Sequence, residues 1–307
     1  MTVILEDYRP TRVLDHELST IGYLAVRGGP DSRPINATVM NSLLRPVSMR
    51  ATTLALHRDE DGQLLGAAAL RWPPTLDSTG WLWGPVVHPS QRGTGLGRGL
   101  LDALTEVLAK HPGVKVATSA ICESRAAACA MFEELGWLIQ PSALLVRSLP
   151  AQVDVPPSMP VRPAQKGEYL HAALAELYAT ARPEDGLTAA RDTFARWSAD
   201  TRYTPAGLLL AEGSHGLAGA VLLYPCTHDT ADEPAEARIA DMITCRKLPE
   251  EHAVPLRRTL VAAALAVADR CGATVARAVP PDAQIEAALR WAGFESVDNV
   301  RYYVSPG

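Results

Sequence analysis

The chain has 307 residues, 47% of them hydrophobic and 21% charged, with 29 Lys and Arg against 34 Asp and Glu and a formal net charge of −5. That balance excludes a disordered chain, a coiled coil and a collagen-like repeat. It also offers no global positive field for nucleic acid, and the length suits two domains. The five cysteines, Cys122, Cys129, Cys226, Cys245 and Cys271, are odd in number, widely spaced and form no CxxC. A zinc site and a disulfide framework are therefore not expected, and a reducing cytoplasm is. Acidic residues interrupt the N-terminus before an apolar leader can form. The longest apolar run, Leu260 to Ala268, is too short for a membrane span.

In chain order, the pattern predicts a strand and a helix, then a hairpin. The hairpin runs from Thr52–His57 through Asp59-Glu60-Asp61-Gly62 into Leu64–Arg71. A strand over Trp81–Val87, a glycine-rich turn and a helix over Leu100–Lys110 follow. The half closes with a strand over Lys115–Ile121, a helix over Ser124–Leu135 and a strand over Ile139–Val146. Four prolines between Leu149 and Pro160 predict a linker. The expected domains are 1–149 and 161–307, with 150–160 joining them.

The second half repeats the first. Arg9-Pro10 matches Arg162-Pro163, and Leu65-Gly66-Ala67 matches Ala218-Gly219-Ala220, both at an offset of 153. Leu135-Gly136-Trp137 matches Ala292-Gly293-Phe294 at 157. The second hairpin runs from Gly207–Ala211 through Gly213-Ser214-His215-Gly216 into Leu217–Tyr224. This is an internal duplication. Both halves predict a mixed α/β fold with short connections.

The segment Val86-Val87-His88-Pro89-Ser90-Gln91-Arg92-Gly93-Thr94-Gly95-Leu96-Gly97-Arg98 leaves a strand and opens a helix. Glycines admit a ligand close to the backbone, and a helix start offers unpaired N–H donors. No Lys-Ser or Lys-Thr follows these glycines, and the spacing fails GxGxxG, which leaves R-x-x-G-x-G at Arg92, Gly95 and Gly97. The second half has no counterpart: Arg246 to Leu256 contains two prolines, Glu250 and Glu251, and no glycine.

This segment resembles the acyl-CoA signature of the GNAT superfamily of N-acetyltransferases, and Phe132-Glu-Glu-Leu-Gly136-Trp137 resembles the superfamily's closing motif. The resemblance implies tandem GNAT domains, each a mostly antiparallel sheet flanked by helices, with strand 4 splayed from strand 5. It implies that Arg92, Gly93, Thr94, Gly95, Leu96, Gly97 and Arg98 hold the CoA pyrophosphate, and that pantetheine pairs with Val86 and Val87. Acetyl-CoA is the implied acyl donor, and no metal is implied. The tandem members include the mycothiol synthases, whose C-terminal copy is the usual active one. The N-terminal signature here argues against that reaction, though not against acyl transfer.

Two positions depart from the pattern. The usual tyrosine acid is Phe132, with Leu289 in the second copy, and the usual asparagine is Arg125. Glu123 and Ser124 are the catalytic candidates at the end of the strand-5 region, Glu123 as a base and Ser124 more simply as a helix cap. Arg125 is a candidate for a CoA phosphate. His88 is expected to be structural, and Trp81 and Trp83 share one face and line either a core or an acceptor pocket. Asp241 either binds a cationic amine or pairs with an arginine. The expected function is N-acetylation of a small-molecule amine by a bacterial, cytoplasmic monomer or homodimer, without nucleic-acid or membrane partners. An acyl-CoA sensor without turnover is the alternative.

Overall fold

The computed structural model describes the chain except residues 1, 28, 31–35, 46–50, 73–78, 151–152, 155–158, 167, 169, 183–185, 201, 215, 228–234 and 307. Most of the proline-rich stretch expected as a linker, and His215 in the second hairpin turn, lie outside the described residues. The first repeat contributes β1 (Ile4–Asp7), α1 (Arg12–Val26), α2 (Ala37–Leu44), β2 (Thr52–Arg58), β3 (Leu64–Arg71) and β4 (Gly80–Val87). It continues with α3 (Leu96–Leu108), β5 (Val116–Thr118), β6 (Ile121–Cys122), α4 (Ala126–Glu134) and β7 (Leu138–Ser148). The second contributes β8 (Val161–Pro163), α5 (His171–Ala181), α6 (Gly186–Ala199), β9 (Leu208–Gly213) and β10 (Gly216–Thr227). After these come β11 (Glu236–Thr244), α7 (Glu250–Arg270), β12 (Val275–Ala278), α8 (Ala283–Trp291) and β13 (Glu295–Val304).

The chain divides into two compact units at positions other than those expected. One unit is Met1–Pro141 with Val300–Gly307, and the other is Ser142–Asn299. The repeats exchange their last strands. Leu145–Ser148 of β7 pair antiparallel with Val275–Ala278 of β12. Val304 of β13 pairs with Ala117, and Val300 and Arg301 pair with Cys122 and Ile121. The sequence pattern fixes that a strand follows Gly136-Trp137, but its pairing partner lies far along the chain.

In the first unit β1, β2, β3 and β4 are successively antiparallel, and β4 and β5 are parallel. One face packs α1 and α2 over Leu18, Met40, Leu54, Leu56 and Trp83. The other packs α3 and α4 over Leu82, Leu100, Leu104, Phe132 and Tyr303. The buried carboxylate Asp15 is satisfied by Tyr8 Oη, which donates at 2.6 Å, and by Asn41 Nδ2 at 3.3 Å. In the second unit the antiparallel order runs β8, β9, β10, β11, with β12 parallel to β11.

The duplication is visible bond by bond. His88 N donates to Leu65 O at 2.9 Å, and Cys245 N donates to Ala218 O at 2.8 Å. Trp137 N to Phe132 O and Phe294 N to Leu289 O are both 3.1 Å, beside Gly136 (φ +71°) and Gly293 (φ +80°). The offset passes from 153 at Gly66/Gly219 to 157 at Val87/Thr244, whose pairs Gly66↔Val87 and Gly219↔Thr244 correspond. The four added residues thus lie between these strand pairs.

Tyr303, 0% exposed, stacks on Phe132 at 5.0 Å between ring centroids, and its hydroxyl donates to Glu133 at 3.0 Å. Tyr303→Ala should destabilise the protein by about 3–5 kcal/mol, the usual cost of deleting a buried aromatic, as read by chemical denaturation. Burial, helped by neighbours that include Glu133, pushes the Tyr303 phenol above its ordinary pKa of 10.0. It therefore ionises more readily unfolded than folded, so its contribution to stability falls as pH rises past about 10. Tyr303→Phe should flatten that alkaline decline, measured as melting temperature against pH.

Candidate functional site

β4 and β5 pair over only three positions, Gly80↔Val116, Trp81↔Ala117 and Leu82↔Thr118. The register of β3 against β4 then shifts, with Gly84 and Pro85 facing the single residue Ala68. Such an extra residue bends a strand. Gly84 has φ +82°, and a Cβ there would lie 2.9 Å from Val86 N and 3.0 Å from Ala67 O. The expected single strand over Lys115–Ile121 is broken into β5 and β6, and β6 turns to β13. β4 therefore runs past Leu82 toward Val86 and Val87 beyond its registered pairing with β5.

At its exit the chain makes a tight turn. Ser90 N donates to His88 Nδ1 at 3.3 Å, and the same nitrogen lies 2.7 Å from Ser90 Oγ. His88 is thus a cap on the turn Pro89–Gln91. Gly93 (φ +78°) and Gly95 (φ +86°) take the left-handed conformation that other residues resist. They start α3 at Leu96, one turn earlier than the sequence pattern places it. No side chain caps α3, and its first turn closes with Gly99 N donating to Gly95 O at 3.0 Å. The N–H groups of Leu96, Gly97 and Arg98 then have no carbonyl behind them within the helix. They form the positive end of its dipole.

Helix α3 reaches this place through a close contact with β3. A Cβ on Gly66 would lie 2.9 Å from Leu96 Cδ2 and 3.0 Å from Leu100 Cδ1. Gly219 stands in the same relation to α7, with Leu260 Cδ1 at 3.0 Å and Leu256 Cδ2 at 3.3 Å. The repeated Gly66 and Gly219 are the residues that let each helix lie on its sheet.

Three arginines surround the turn, each with partners in the protein. Arg92 Nη2 donates to Leu24 O at 3.1 Å and Ala25 O at 3.2 Å. Arg125 donates to Ala25 O at 3.0 Å and Val26 O at 2.7 Å. Both therefore satisfy the terminal carbonyls of α1 and complement its negative end. Arg98 pairs with Asp102 at 2.9 Å and Glu134 at 3.2 Å.

Glu123 accepts from Arg301 Nε at 2.8 Å, and Arg301 also bonds Glu133. Ser124 lies in the turn after β6, immediately before Arg125, the N-cap of α4. Cys122 and Cys129 are buried thiols. Trp83 belongs to the core beneath α1, with Trp81 packed against it. Asp241 pairs with Arg182 at 3.3 Å and accepts from Met242 N at 2.8 Å. No local pattern signals Arg301 and Tyr303, because their neighbours Glu123 and Phe132 lie more than 170 residues upstream. Among the described residues no helix is long and apolar enough to cross a membrane, and no group of three His, Cys, Asp or Glu could hold a metal.

Residues 39–137 match the model of the acetyltransferase (GNAT) family. No curated protein sequence matches the chain. A tandem GNAT protein from the clavulanic acid biosynthesis pathway is 18% identical over 100% of both chains, with a TM-score of 0.69. A GCN5-related N-acetyltransferase from Sphaerobacter thermophilus is 17% identical over 99% of this chain and 96% of that one, with a TM-score of 0.65. A GCN5-related glucosamine N-acetyltransferase region of a fungal multi-domain GH3 beta-N-acetylglucosaminidase is 17% identical, with a TM-score of 0.68. The alignment covers 99% of this chain and 38% of that one, so the chain spans well under half of the fungal protein. At these identities the likeness is one of fold.

Arg125→Met removes the guanidinium donors to Ala25 and Val26. Each such bond contributes about 1 kcal/mol, so losing both should quicken amide exchange over the last turn of α1 by about thirtyfold, as read by hydrogen–deuterium exchange.

Proposed function

We propose that this chain, which belongs to the GNAT superfamily and has the fold of its tandem proteins, transfers an acetyl group from acetyl-CoA to the amine of a small molecule on its N-terminal unit. The observation that carries the reading is the Gly93–Gly95 turn, whose two left-handed glycines open α3 at the mouth of the parted β4 and β5. The N–H groups from Gly93 to Gly97 suit a diphosphate, because no side chain stands over them: a Cβ at Gly93 or Gly95 would meet nothing within 4 Å. Arg92 and Arg98 add positive charge beside them while holding α1 and α4 residues in place. Val86 and Val87 are positioned to receive the pantetheine amides as a further strand would. Acetyl-CoA supplies the activated thioester. The chain's own residues place its carbonyl by a β4 backbone N–H near Val87.

Acyl transfer needs a neutral amine. Glu123 is the candidate base, oriented by Arg301, with Ser124 beside it as a polar contact. Phe132 offers no proton for the departing thiolate, and Tyr303, stacked on it, directs its hydroxyl to Glu133. In this reading the proton comes from water. The same observation favours a second reading, an acyl-CoA sensor without turnover.

Calorimetry with acetyl-CoA should show one site per chain, lost in Gly95→Val because valine is strained at φ +86°. Two sites, or none, would refute the assignment to the N-terminal unit. Thiol release over a panel of small amines then separates the two readings. Glu123→Gln should lower kcat/KM by about a hundredfold if Glu123 is the base. Activity that appears only in Phe132→Tyr would support the sensor.

A further inference from the structure

The C-terminal unit keeps the parted strands and rebuilds what stands at their mouth. Ile239↔Ala278 is the last pair of β11 with β12, as Leu82↔Thr118 is for β4 and β5. One extra residue, Ala240, follows in β11. Helix α7, however, begins at Glu250, ahead of the segment equivalent to α3. Its buried Leu256, Leu260, Val261 and Ala264 repeat Leu96, Leu100, Leu101 and Leu104 at an offset of 160. By that register Arg257 stands where the first unit has Gly97.

A cavity of about 560 Å³ opens there, lined by Arg182, by Met242 to Arg246, by the first turn of α7 and by the start of α8. A second cavity of about 300 Å³ lies between α7 and α8. Glu250, Arg257 and Gln284 line both and form the wall between them. Arg257 donates to Glu250 Oε2 at 2.6 Å and to Gln284 Oε1 at 3.2 Å, and Gln284 Nε2 donates to Glu250 Oε1 at 3.3 Å. The ring is asymmetric, because the Arg257 side chain is 6% exposed and that of Glu250 is 63% exposed.

A buried guanidinium is costly unless it is paired. Arg257 cannot leave its place, whereas Glu250 can turn into water. The carboxylate of Glu250 thus acts as an exchangeable occupant of a fixed cationic fork, beside space of the size small molecules use.

We infer that the cavity of the C-terminal unit binds a small organic carboxylate, which takes the place of Glu250 on Arg257 and lays its apolar part along Met242, Leu248 and Ile285. The guanidinium fork matches a carboxylate in two parallel bonds. A CoA diphosphate does not fit, because Arg257 and the first turn of α7 occupy the region that the glycine turn leaves open in the first unit. The inference stands apart from the N-terminal acetyl-CoA site.

The test is saturation-transfer NMR on the full chain with hexanoate as probe. Transfer is expected in the parent protein and unchanged by saturating acetyl-CoA. Glu250→Gln removes the competing charge and should tighten hexanoate binding by about tenfold, roughly one charge-assisted hydrogen bond. Arg257→Met should abolish it. Displacement by acetyl-CoA, equal affinity in the parent and Glu250→Gln, or no transfer in either would overturn the inference. The Glu250 variant changes an exposed side chain, so it keeps the test valid even if Arg257→Met fails to fold.

Discussion

Each helix that follows the parted strands lies directly on a glycine, Gly66 under α3 and Gly219 under α7. With a methyl group at Gly66, the ends of the Leu96 and Leu100 side chains would have to shift. Burial of the leucine row, not a capping side chain, fixes where this helix begins. The N–H groups at its start are consequently free to meet a ligand, at the point where β4 has passed its last registered pair with β5. Packing in the core and availability at the site are two consequences of the same contact.

The two copies share this contact and differ in the few residues before it. Gly93 and Gly95 let the first copy reach the helix through left-handed backbone, which leaves the approach bare. In the second copy Glu250 and its neighbours instead form helix from the outset, continuing through Pro255, so the same volume is filled by a turn of helix and its side chains. Arg257 then points where the first copy presents only Gly97. The duplication preserved a cleft twice and kept the phosphate-compatible backbone once.

The sequence made the copies, the hairpins and the glycine turn legible because those features are local. A strand pair with an Asp-Gly turn is set by a dozen residues, and R-x-x-G-x-G carries its own backbone demand. The start of α3 is harder to read, since Leu96 and Leu100 pack on Gly66, which lies 30 residues and more upstream. The roles of Arg92 and Arg125 were not legible at all. Each donates to α1 carbonyls, about 68 and 100 residues upstream, so spacing within the signature cannot reveal it. Asp241 announced itself as a carboxylate in an apolar strand, and the structure supplies Arg182 as the partner that such burial requires.

The exchanged strands explain why the boundary at the proline-rich stretch does not divide the folded chain. β7 follows the first Gly-aromatic turn but pairs with β12, and β13 follows the second but pairs with β5 and β6. Each unit's core therefore contains a residue from the other repeat: Leu145 in one, Tyr303 in the other. Tyr303 stacks on Phe132, and Arg301 on the same strand holds Glu123. The C-terminal strand thus completes the candidate site's surroundings as well as its sheet. Cutting the sequence between its repeats would leave the glycine turn intact and remove the strand behind the catalytic candidates, so the N-terminal repeat alone is not the N-terminal unit.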